Sequence, residues 1–242
     1  MKHKIIVMGA NGGTGENLAI RLANAGYDVC ATMRNPADAS ENLLAQVQDI
    51  KPVDVTDNKS IETAFASFSE TNPLSGFVYC IGSIDLLPLK AAKDEDFLKA
   101  YEVNVLGAIR SLRLLEKTLK AGKGSVVLFS SIAVDQGFSN HTVIGSAKGA
   151  IEGLGKSLAA EWAGQVRVNI IAPSLTDTGI AHPFTSSPQM RESIEKMHPI
   201  PRLGTADDLA ATAQFLLGPE SGWITGQIIR VDGGRSTLKP KG

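Results

Sequence analysis

Seven short apolar runs rich in valine and isoleucine recur along the chain, and they constrain the fold more than any other feature of the sequence. They occupy residues 4–8, 28–32, 50–55, 76–80, 125–129, 166–171 and 227–232, with longer helix-like stretches between them. Near-continuous apolar strands that alternate with amphipathic segments are typical of a parallel sheet covered by helices on both faces. The pattern predicts a doubly wound α/β fold of about seven strands, in which ligands bind beyond the carboxyl ends of the strands.

Composition narrows the class of partner. A chain of 242 residues with 43% hydrophobic content can bury a full core, so we expect residues 1–242 to form one domain. The net charge of −1 and the lack of a dense Lys/Arg run favour a small-molecule partner over nucleic acid or an anionic membrane. The apolar run near the N-terminus is too short for a signal peptide or a membrane span, which favours a cytoplasmic location. Cys30 and Cys80 fall in predicted strands without metal-ligand spacing, so we expect buried core thiols and no metal site.

The stretch MGANGGTGENLA follows the first predicted strand and opens a helix. Glycine there lets the backbone approach a pyrophosphate closely, while free N–H groups and the helix dipole favour its negative charge. The turn predicts a dinucleotide site formed by Gly9, Asn11, Gly13, Thr14 and Gly15. Its spacing, G-x-x-x-G-x-G, resembles that of the short-chain dehydrogenase/reductase family.

Further motifs carry this resemblance from about residue 5 to residue 234, in the family's order. The resemblance implies a single-domain Rossmann-type fold and a site whose parts are spread along the chain. Asp54, next to Val55 in VDVTD, matches the aspartate that contacts the adenine. Asn104 in YEVNVLG matches the active-site asparagine, whose helix distortion holds a water in the proton relay, and Ser131 in LFSSIAV matches the catalytic serine. Lys148 matches the lysine that anchors the nicotinamide ribose.

Two more segments resemble the family, and one departs from it. NIIAPSLTDT resembles the segment that lines the nicotinamide, which implies binding roles for Pro173, Thr176 and Thr178, and WITGQIIRVDGG resembles the C-terminal signature. YCIG keeps only Gly82 of the family's Asn-Asn-Ala-Gly. The resemblance also implies a homodimer or homotetramer built through long helices near 95–120 and 142–163.

The residues that follow the second predicted strand determine which cofactor is preferred. An acidic residue there would bind the ribose 2′-hydroxyl and repel a 2′-phosphate, whereas an arginine would accept that phosphate. The sequence has Met33 at the approximate acidic position, followed by Arg34. We therefore expect NADP(H) to be favoured over NAD(H).

The tyrosine that acts as the acid in the main branch of the family is absent. Counting back from Lys148 and forward from Ser131, its position is Ile144, an aliphatic residue that cannot donate a proton. The stretch NHTVIGSAKGA also resembles bacterial enoyl-acyl-carrier-protein reductases, a divergent branch in which the tyrosine corresponds to His141. Helical spacing would place residues 141, 144 and 148 on one face, so His141 is the candidate donor. The alternative is that His141 only caps the helix or lines the cleft.

The other tyrosines are weaker substitutes for the missing acid. Helix packing or a subunit contact explains Tyr101 better than catalysis does, and Tyr79 lies in a predicted buried strand.

These features lead to one preferred function and two alternatives. We expect an NADPH-dependent reductase that transfers hydride to a small carbonyl-containing substrate, with a conjugated enone as the favoured class. The alternatives are a non-catalytic nucleotide-binding or regulatory protein, and an ordinary ketone reductase in which His141 or water is the proton donor. Residues 181–190, bracketed by prolines, are expected to form a long loop that covers the substrate.

Overall fold

A computed structural model describes residues 3–239 of the chain, so Met1, Lys2 and residues 240–242 of the predicted domain lie outside the described residues. The described residues form nine strands: Lys4–Met8 (β1), Asp28–Met33 (β2), Asp49–Pro52 (β3), Leu74–Tyr79 (β4), Ser125–Phe129 (β5), Arg167–Pro173 (β6), Thr176–Asp177 (β7), Gly204–Thr205 (β8) and Ile228–Val231 (β9). Seven of them build one sheet in the order β3-β2-β1-β4-β5-β6-β9, and β7 pairs with β8 in a small second sheet. All pairs in the large sheet are parallel, as predicted.

The α-helices of the described residues are Gly13–Asn24 (α1), Glu41–Gln46 (α2), Asn58–Phe65 (α3), Asp94–Tyr101 (α4), Gly107–Ala121 (α5), Ala133–Gln136 (α6), Thr142–Glu161 (α7), His182–Thr185 (α8), Pro188–Glu195 (α9) and Ala206–Leu217 (α10). None of the helices within residues 3–239 combines the length and the apolar character needed to cross a membrane.

The core lies in two layers, one on each face of the large sheet. Successive side chains of a strand point to opposite faces. Ile5 and Val7 of β1 therefore join a cluster with α1 and α10, whereas Ile6 and Met8 join a cluster with α3, α5 and α7. Each fully buried aliphatic side chain contributes about 1.5–3 kcal/mol to folding, so the run-and-helix pattern of the sequence is sufficient to fix this arrangement. The predicted doubly wound fold is confirmed.

The segment 181–190 was expected to be a loop, and that expectation is wrong. The segment contains α8 and the start of α9. Pro188 occupies the first turn of α9, where a missing N–H costs nothing, and the Ser187 hydroxyl accepts a hydrogen bond from the Met190 N–H. The prolines therefore start helices here rather than exclude them.

A π-helical turn divides the helix that was predicted near residues 95–120. The turn spans Glu102–Leu106 and connects α4 directly to α5. Single π turns of this kind are frequent at functional sites, because they redirect side chains without ending the helix. The side chain redirected here is that of Asn104.

Candidate active site

A deep cleft opens at the carboxyl ends of the sheet strands, where ligands of doubly wound folds bind. Its volume is about 1520 Å³, and its walls include residues that follow β1, β2, β4, β5 and β6. Pockets for single drug-sized ligands measure about 300–1,000 Å³. The cleft therefore has room for a dinucleotide and a second, smaller molecule.

All the predicted site residues line this cleft except Asn104. The residues brought together are Gly9, Asn11, Gly13, Thr14, Gly15, Arg34, Asp54, Val55, Gly82, Ser131, His141, Lys148, Pro173, Thr176 and Thr178.

The turn between β1 and α1 is shaped for close approach of a phosphate. Gly9 has a φ of +81°, which L-residues with a side chain rarely adopt. A Cβ atom on Gly15 would lie 2.3 Å from the Gly9 carbonyl oxygen, so only glycine allows the turn to fold back on itself. The first N–H groups of α1 face the cleft at this point, and they fit a dinucleotide pyrophosphate.

One arginine, Arg34, lines the cleft where the chain leaves β2. Met33 is buried as the last residue of β2, and Arg34 extends beyond it into solvent. Within residues 3–239, no carboxylate lies within 4 Å of the Arg34 guanidinium. Hydrogen bonds from the Thr56 side chain and backbone lower the pKa of Asp54, so this carboxylate stays ionised. A group bound here meets a free guanidinium on one side and the ionised Asp54 on another.

Lys148 lies deep in the cleft on α7. Its Nζ donates a hydrogen bond to the Phe129 carbonyl oxygen at 3.0 Å, and burial lowers the pKa of the ammonium to about 8. A Cβ atom on Gly82 would approach Lys148 Nζ to 3.2 Å, so Gly82 is the residue that leaves this ammonium accessible. The ammonium is therefore held where it can reach a ribose hydroxyl.

Asn104 does not line the cleft itself, but it contacts residues that do. Its Nδ2 donates hydrogen bonds to the Ala100 carbonyl oxygen at 2.8 Å and to Ser83 Oγ at 3.2 Å. A Cβ atom on Gly82 would lie 2.9 Å from Asn104 Oδ1, so the amide packs against Gly82 on the same side as Lys148. The π turn thus directs the amide toward the loop after β4.

The second cysteine occupies a different place from the one expected. Cys30 is buried within β2, whereas Cys80 follows the end of β4 and lines the cleft. Burial raises the pKa of the Cys80 thiol to about 12, so it remains a neutral thiol. Among residues 3–239, no cluster of ligating side chains could hold a metal ion.

His141 reaches the cleft by a different route from the predicted helical stripe. The α7 helix begins at Thr142, and the preceding turn has a positive φ of 64° at Asn140, so helical spacing does not extend back to residue 141. The His141 ring packs edge-on against Phe138, with 5.3 Å between centroids, and its Nδ1 lies 2.8 Å from the Ser139 carbonyl oxygen. His141 occupies the N-cap position, but its side chain makes no capping hydrogen bond.

The side chains nearest the expected reaction centre include no phenol. Ile144 lines the cleft one helical turn before Lys148 and is only 4% exposed. Within the described part of the chain, no tyrosine lines the cleft. Tyr79 donates a hydrogen bond to the Val103 carbonyl oxygen, and Tyr101 is exposed on α4. Ser131 Oγ accepts a hydrogen bond from the Ala133 N–H, which leaves the serine proton available.

Sequence reasoning missed a group of residues at the substrate end of the cleft. Arg235 follows β9, and Phe138 and Ser174 follow β5 and β6. Their common signal is that they come after strands, at the edge where parallel sheets place ligands. Arg235 was overlooked because the family's C-terminal signature ends one residue earlier, at Gly234.

Comparison with known proteins identifies the family to which the chain belongs. A family model described as enoyl-(acyl carrier protein) reductase matches residues 9–236. The chain is 30% identical over 241 residues to a tropinone reductase homologue from Arabidopsis thaliana, with 95% of this chain and 88% of the relative covered.

Solved structures are similar over nearly the whole chain. A short-chain type dehydrogenase/reductase from Mycobacterium ulcerans has a TM-score of 0.88 and 28% identity, covering 98% of this chain and 90% of that one. ElxO with NADP bound has the same TM-score and identity, covering 98% of this chain and 100% of its own. The chain therefore belongs to the short-chain dehydrogenase/reductase family and is an oxidoreductase.

Proposed function

We propose that this protein is an NADPH-dependent reductase that transfers hydride to a small carbonyl-containing substrate, and that a conjugated enone is the preferred class. The observation that carries the proposal is the aliphatic side chain of Ile144, which lines the cleft one turn before Lys148. The reaction must therefore proceed without a phenol at that position.

The preference for the phosphorylated cofactor rests on Arg34. Arg34 directly follows β2, and among residues 3–239 no carboxylate lies within 4 Å of its guanidinium, which favours a 2′-phosphate over a 2′-hydroxyl. The similarity to ElxO with NADP bound supports the same preference. When bound, NADPH supplies the hydride, and the remaining task of the chain is to hold the substrate and manage protons.

The chemistry of the substrate decides how much the absent acid matters. Hydride addition to a ketone carbon develops alkoxide charge on oxygen, which needs a proton as it forms. Hydride addition to a conjugated carbon–carbon double bond develops an enolate instead, whose charge is delocalised. An enolate oxygen needs hydrogen-bond donors, and its final proton can come from water. Ser131 and His141 both line the cleft, which supports them as those donors.

The hydrogen bond of His141 determines how it donates. The Ser139 carbonyl oxygen can only accept, so the proton of a neutral ring lies on Nδ1. Nε2 then has no proton to give, and only the imidazolium donates from Nε2 to a substrate. Ser131 donates in either case, and His141 adds a second donor only in its imidazolium form.

The decisive experiment compares matched substrates. We expect the wild-type protein with NADPH to reduce α,β-unsaturated ketones faster than the corresponding saturated ketones. His141→Ala should lower enone turnover by about tenfold to a hundredfold, because one donor to the enolate oxygen is lost. Ile144→Tyr should raise ketone turnover by about a hundredfold, because it restores an acid beside Lys148. His182→Ala, which removes an exposed histidine outside the cleft, is the matched control.

Three outcomes would contradict parts of this proposal. Faster reduction of saturated ketones by the wild-type protein would make it an ordinary ketone reductase. An unimpaired His141→Ala variant would leave Ser131 or water as the donor. Tight NADPH binding without turnover of any enone or ketone would favour the non-catalytic nucleotide-binding alternative.

We also propose that the protein assembles as a homodimer or homotetramer through α4, α5 and α7. The support is the presence of exposed apolar side chains on α4 and α5, namely Leu98, Tyr101 and Leu114; the resemblance to the family adds α7. Burial of apolar side chains by a second subunit is favourable, because it removes their surface from water.

A further inference from the structure

Arg235 brings a positive charge to the substrate end of the cleft. It follows β9, after Gly233 and Gly234, whose φ values of 61° and 86° turn the chain back toward the cleft. The guanidinium carbon lies 4.7 Å from the centroid of the Phe138 ring. Its nitrogens contact Ser174 Oγ and the Met197 sulfur, each at 3.4 Å. The contact with Ser174 is long for an N–H···O bond and a thioether is a weak acceptor, so among residues 3–239 most of the five N–H donors have no strong partner.

The guanidinium has no carboxylate partner within the described residues. Asp232 lies three residues earlier, but its oxygens accept hydrogen bonds from the Gly234 N–H, the Ser236 N–H and the Ser236 hydroxyl. Among residues 3–239, no carboxylate oxygen lies within 4 Å of the Arg235 nitrogens. Arg235 is half-buried, so its guanidinium has lost part of its hydration; this burial lowers its pKa, whereas the nearby charge of Asp232 raises it. A desolvated cation of this kind gains from an incoming anion.

A buried histidine fixes one side of Arg235. His198 is 4% exposed, and its Nδ1 lies 2.8 Å from the Ile194 carbonyl oxygen, which can only accept. In the neutral ring the proton is therefore on Nδ1, and Nε2 then accepts a hydrogen bond from the Ser174 hydroxyl at 2.8 Å. Ser174 Oγ consequently presents its lone pair, rather than its proton, to Arg235. The chain of three contacts orients the guanidinium without neutralising it.

The same aromatic ring connects Arg235 to the candidate proton donor. The Phe138 ring contacts both groups: its centroid lies 4.7 Å from the guanidinium carbon of Arg235 and 5.3 Å from the imidazole centroid of His141. Apolar side chains also line the cleft, including Ile180, Phe184 and Met197, and the Met197 sulfur contacts Arg235. A ligand here meets an apolar wall, hydrogen-bond donors at one place and a fixed positive charge at another.

We propose that the substrate carries a carboxylate and that Arg235 binds it, which orients the carbonyl oxygen toward Ser131 and His141. The inference rests on the proposed function and narrows it to keto acids or enone acids with an apolar body. A guanidinium can bind a carboxylate through two parallel hydrogen bonds in one plane, a bidentate geometry that an ammonium does not match.

The test measures binding without turnover, so that it is independent of hydride transfer. The probes are 4-oxo-4-phenylbutanoate and its methyl ester, titrated into the NADP⁺-loaded protein by calorimetry. We expect the acid to bind about tenfold tighter than the ester, as one charge-assisted contact would give. Arg235→Gln should remove that difference and leave ester binding unchanged, whereas Arg235→Lys should keep part of it. Lys99→Gln, which removes another cation that lines the cleft, should change neither probe.

Several results would overturn the inference. Equal affinity for the acid and the ester, an acid preference that survives Arg235→Gln, or no binding of either probe at millimolar concentration would each do so. A loss of NADP⁺ affinity in Arg235→Gln would assign the arginine to the cofactor instead. If the protein selects the acid but reduces no enone or ketone, the carboxylate site is supported and the proposed reductase activity is refuted. The two proposals can therefore fail independently.

Discussion

At the scale of single residues, Arg34 is an exposed part of the proposed cofactor site. It lies beyond the last residue of β2 and has no carboxylate partner within residues 3–239. Because it is exposed, water and salt screen its contact with a phosphate, and the contact contributes less than a buried pair would. Its effect should therefore be moderate and should decrease as salt is added.

We predict that Arg34→Ala reduces the preference for NADPH over NADH by about tenfold at low ionic strength. Fluorescence titration of both reduced cofactors measures the change. Arg113→Ala, which removes an exposed arginine outside the cleft, is the control and should leave both affinities unchanged. Equal affinities for the two cofactors in the wild-type protein would refute the prediction, as would an unchanged preference in Arg34→Ala.

Lys148 provides a second residue-level test, because its charge is buried. Burial lowers the pKa of its ammonium to about 8 in the folded protein, below the ordinary lysine value of 10.5 in the unfolded chain. Below about pH 8 both states carry the proton, and folding includes the full cost of burying the charge. Between about pH 8 and 10.5 the unfolded state binds more protons, so the free energy of unfolding rises with pH.

We predict that wild-type protein without cofactor gains roughly 2 kcal/mol of stability over Lys148→Met between about pH 7 and 9.5. Urea unfolding of both proteins at the two pH values gives this difference. The buried thiols and Tyr79 have raised pKa values, which makes stability fall at alkaline pH, but both proteins contain those groups. Parallel pH profiles would contradict the prediction. Lys148→Met should also weaken NADPH binding, whereas Lys156→Met on the same helix should not.

Residues inside motifs were predictable, and residues that act through tertiary contacts were not. Gly9 and Gly15 could be identified because one local turn imposes both positions. Arg235 and Ser174 lie 61 residues apart in the chain, and Ser174 and His198 lie 24 apart, so no local pattern connects them. Their contacts depend on how β6, β9 and the end of α9 pack together.

At the scale of elements, the long helix α7 contains glycines with opposite surroundings. A Cβ atom on Gly155 would lie 2.6 Å from Ile170 Cδ1 of β6, so the absence of a side chain lets the helix approach the sheet. A Cβ atom on Gly153 would have nothing within 4 Å. The two positions therefore separate helix propensity from packing on the same element.

We predict that Gly153→Ala stabilises the protein by about 0.5–1 kcal/mol, through helix propensity alone. Gly155→Ala should destabilise it by about 1–3 kcal/mol, because the added methyl group forces Ile170 and the helix apart. Urea unfolding at one protein concentration compares both variants with the wild type. Equal effects of the two substitutions would show that α7 shifts freely on the sheet, contrary to this expectation.

Element types were predictable where burial dictated them. The strands of the large sheet follow the apolar runs, because each of these runs is covered by helices on both faces. Local chemistry was misread in two places. The predicted strand 50–55 ends at Pro52, and the segment 181–190 becomes helical through Ser187 and Pro188. The π turn at Glu102–Leu106 had no signal in the hydrophobic pattern, and only the family resemblance indicated a distorted helix there.

At the scale of the whole molecule, the cleft brings three proposed sites together at the carboxyl ends of the strands. The glycine turn and Arg34 lie where β1 and β2 end, Ser131 and Lys148 lie near the middle, and Arg235 lies where β9 ends. The order of the strands therefore sets the order of cofactor, reaction centre and proposed carboxylate site. Sequence patterns were enough to predict a ligand-binding cleft at these strand ends. The proposed class of substrate, in contrast, was inferred from side chains that only the folded chain brings together.

Assembly is the remaining property of the whole molecule, and it follows from which apolar surface is left uncovered. Leu114 on α5 is 46% exposed, and Leu44 on α2 is 51% exposed, so the two leucines are matched in type and exposure. Only Leu114 lies on the helices proposed to form the subunit contact. A charge placed in a buried apolar interface is costly, whereas the same charge on a solvated face costs little.

We predict that the wild-type protein sediments as a dimer or tetramer of the 25.5 kDa chain. Leu114→Glu should shift it to monomer, and Leu44→Glu should leave it assembled. Sedimentation velocity measures the state, and circular dichroism shows whether each variant is still folded. A monomeric wild-type protein at micromolar concentration would refute the proposed assembly. Dissociation caused by Leu44→Glu but not by Leu114→Glu would move the contact to the opposite side of the sheet, where α2 packs on α1.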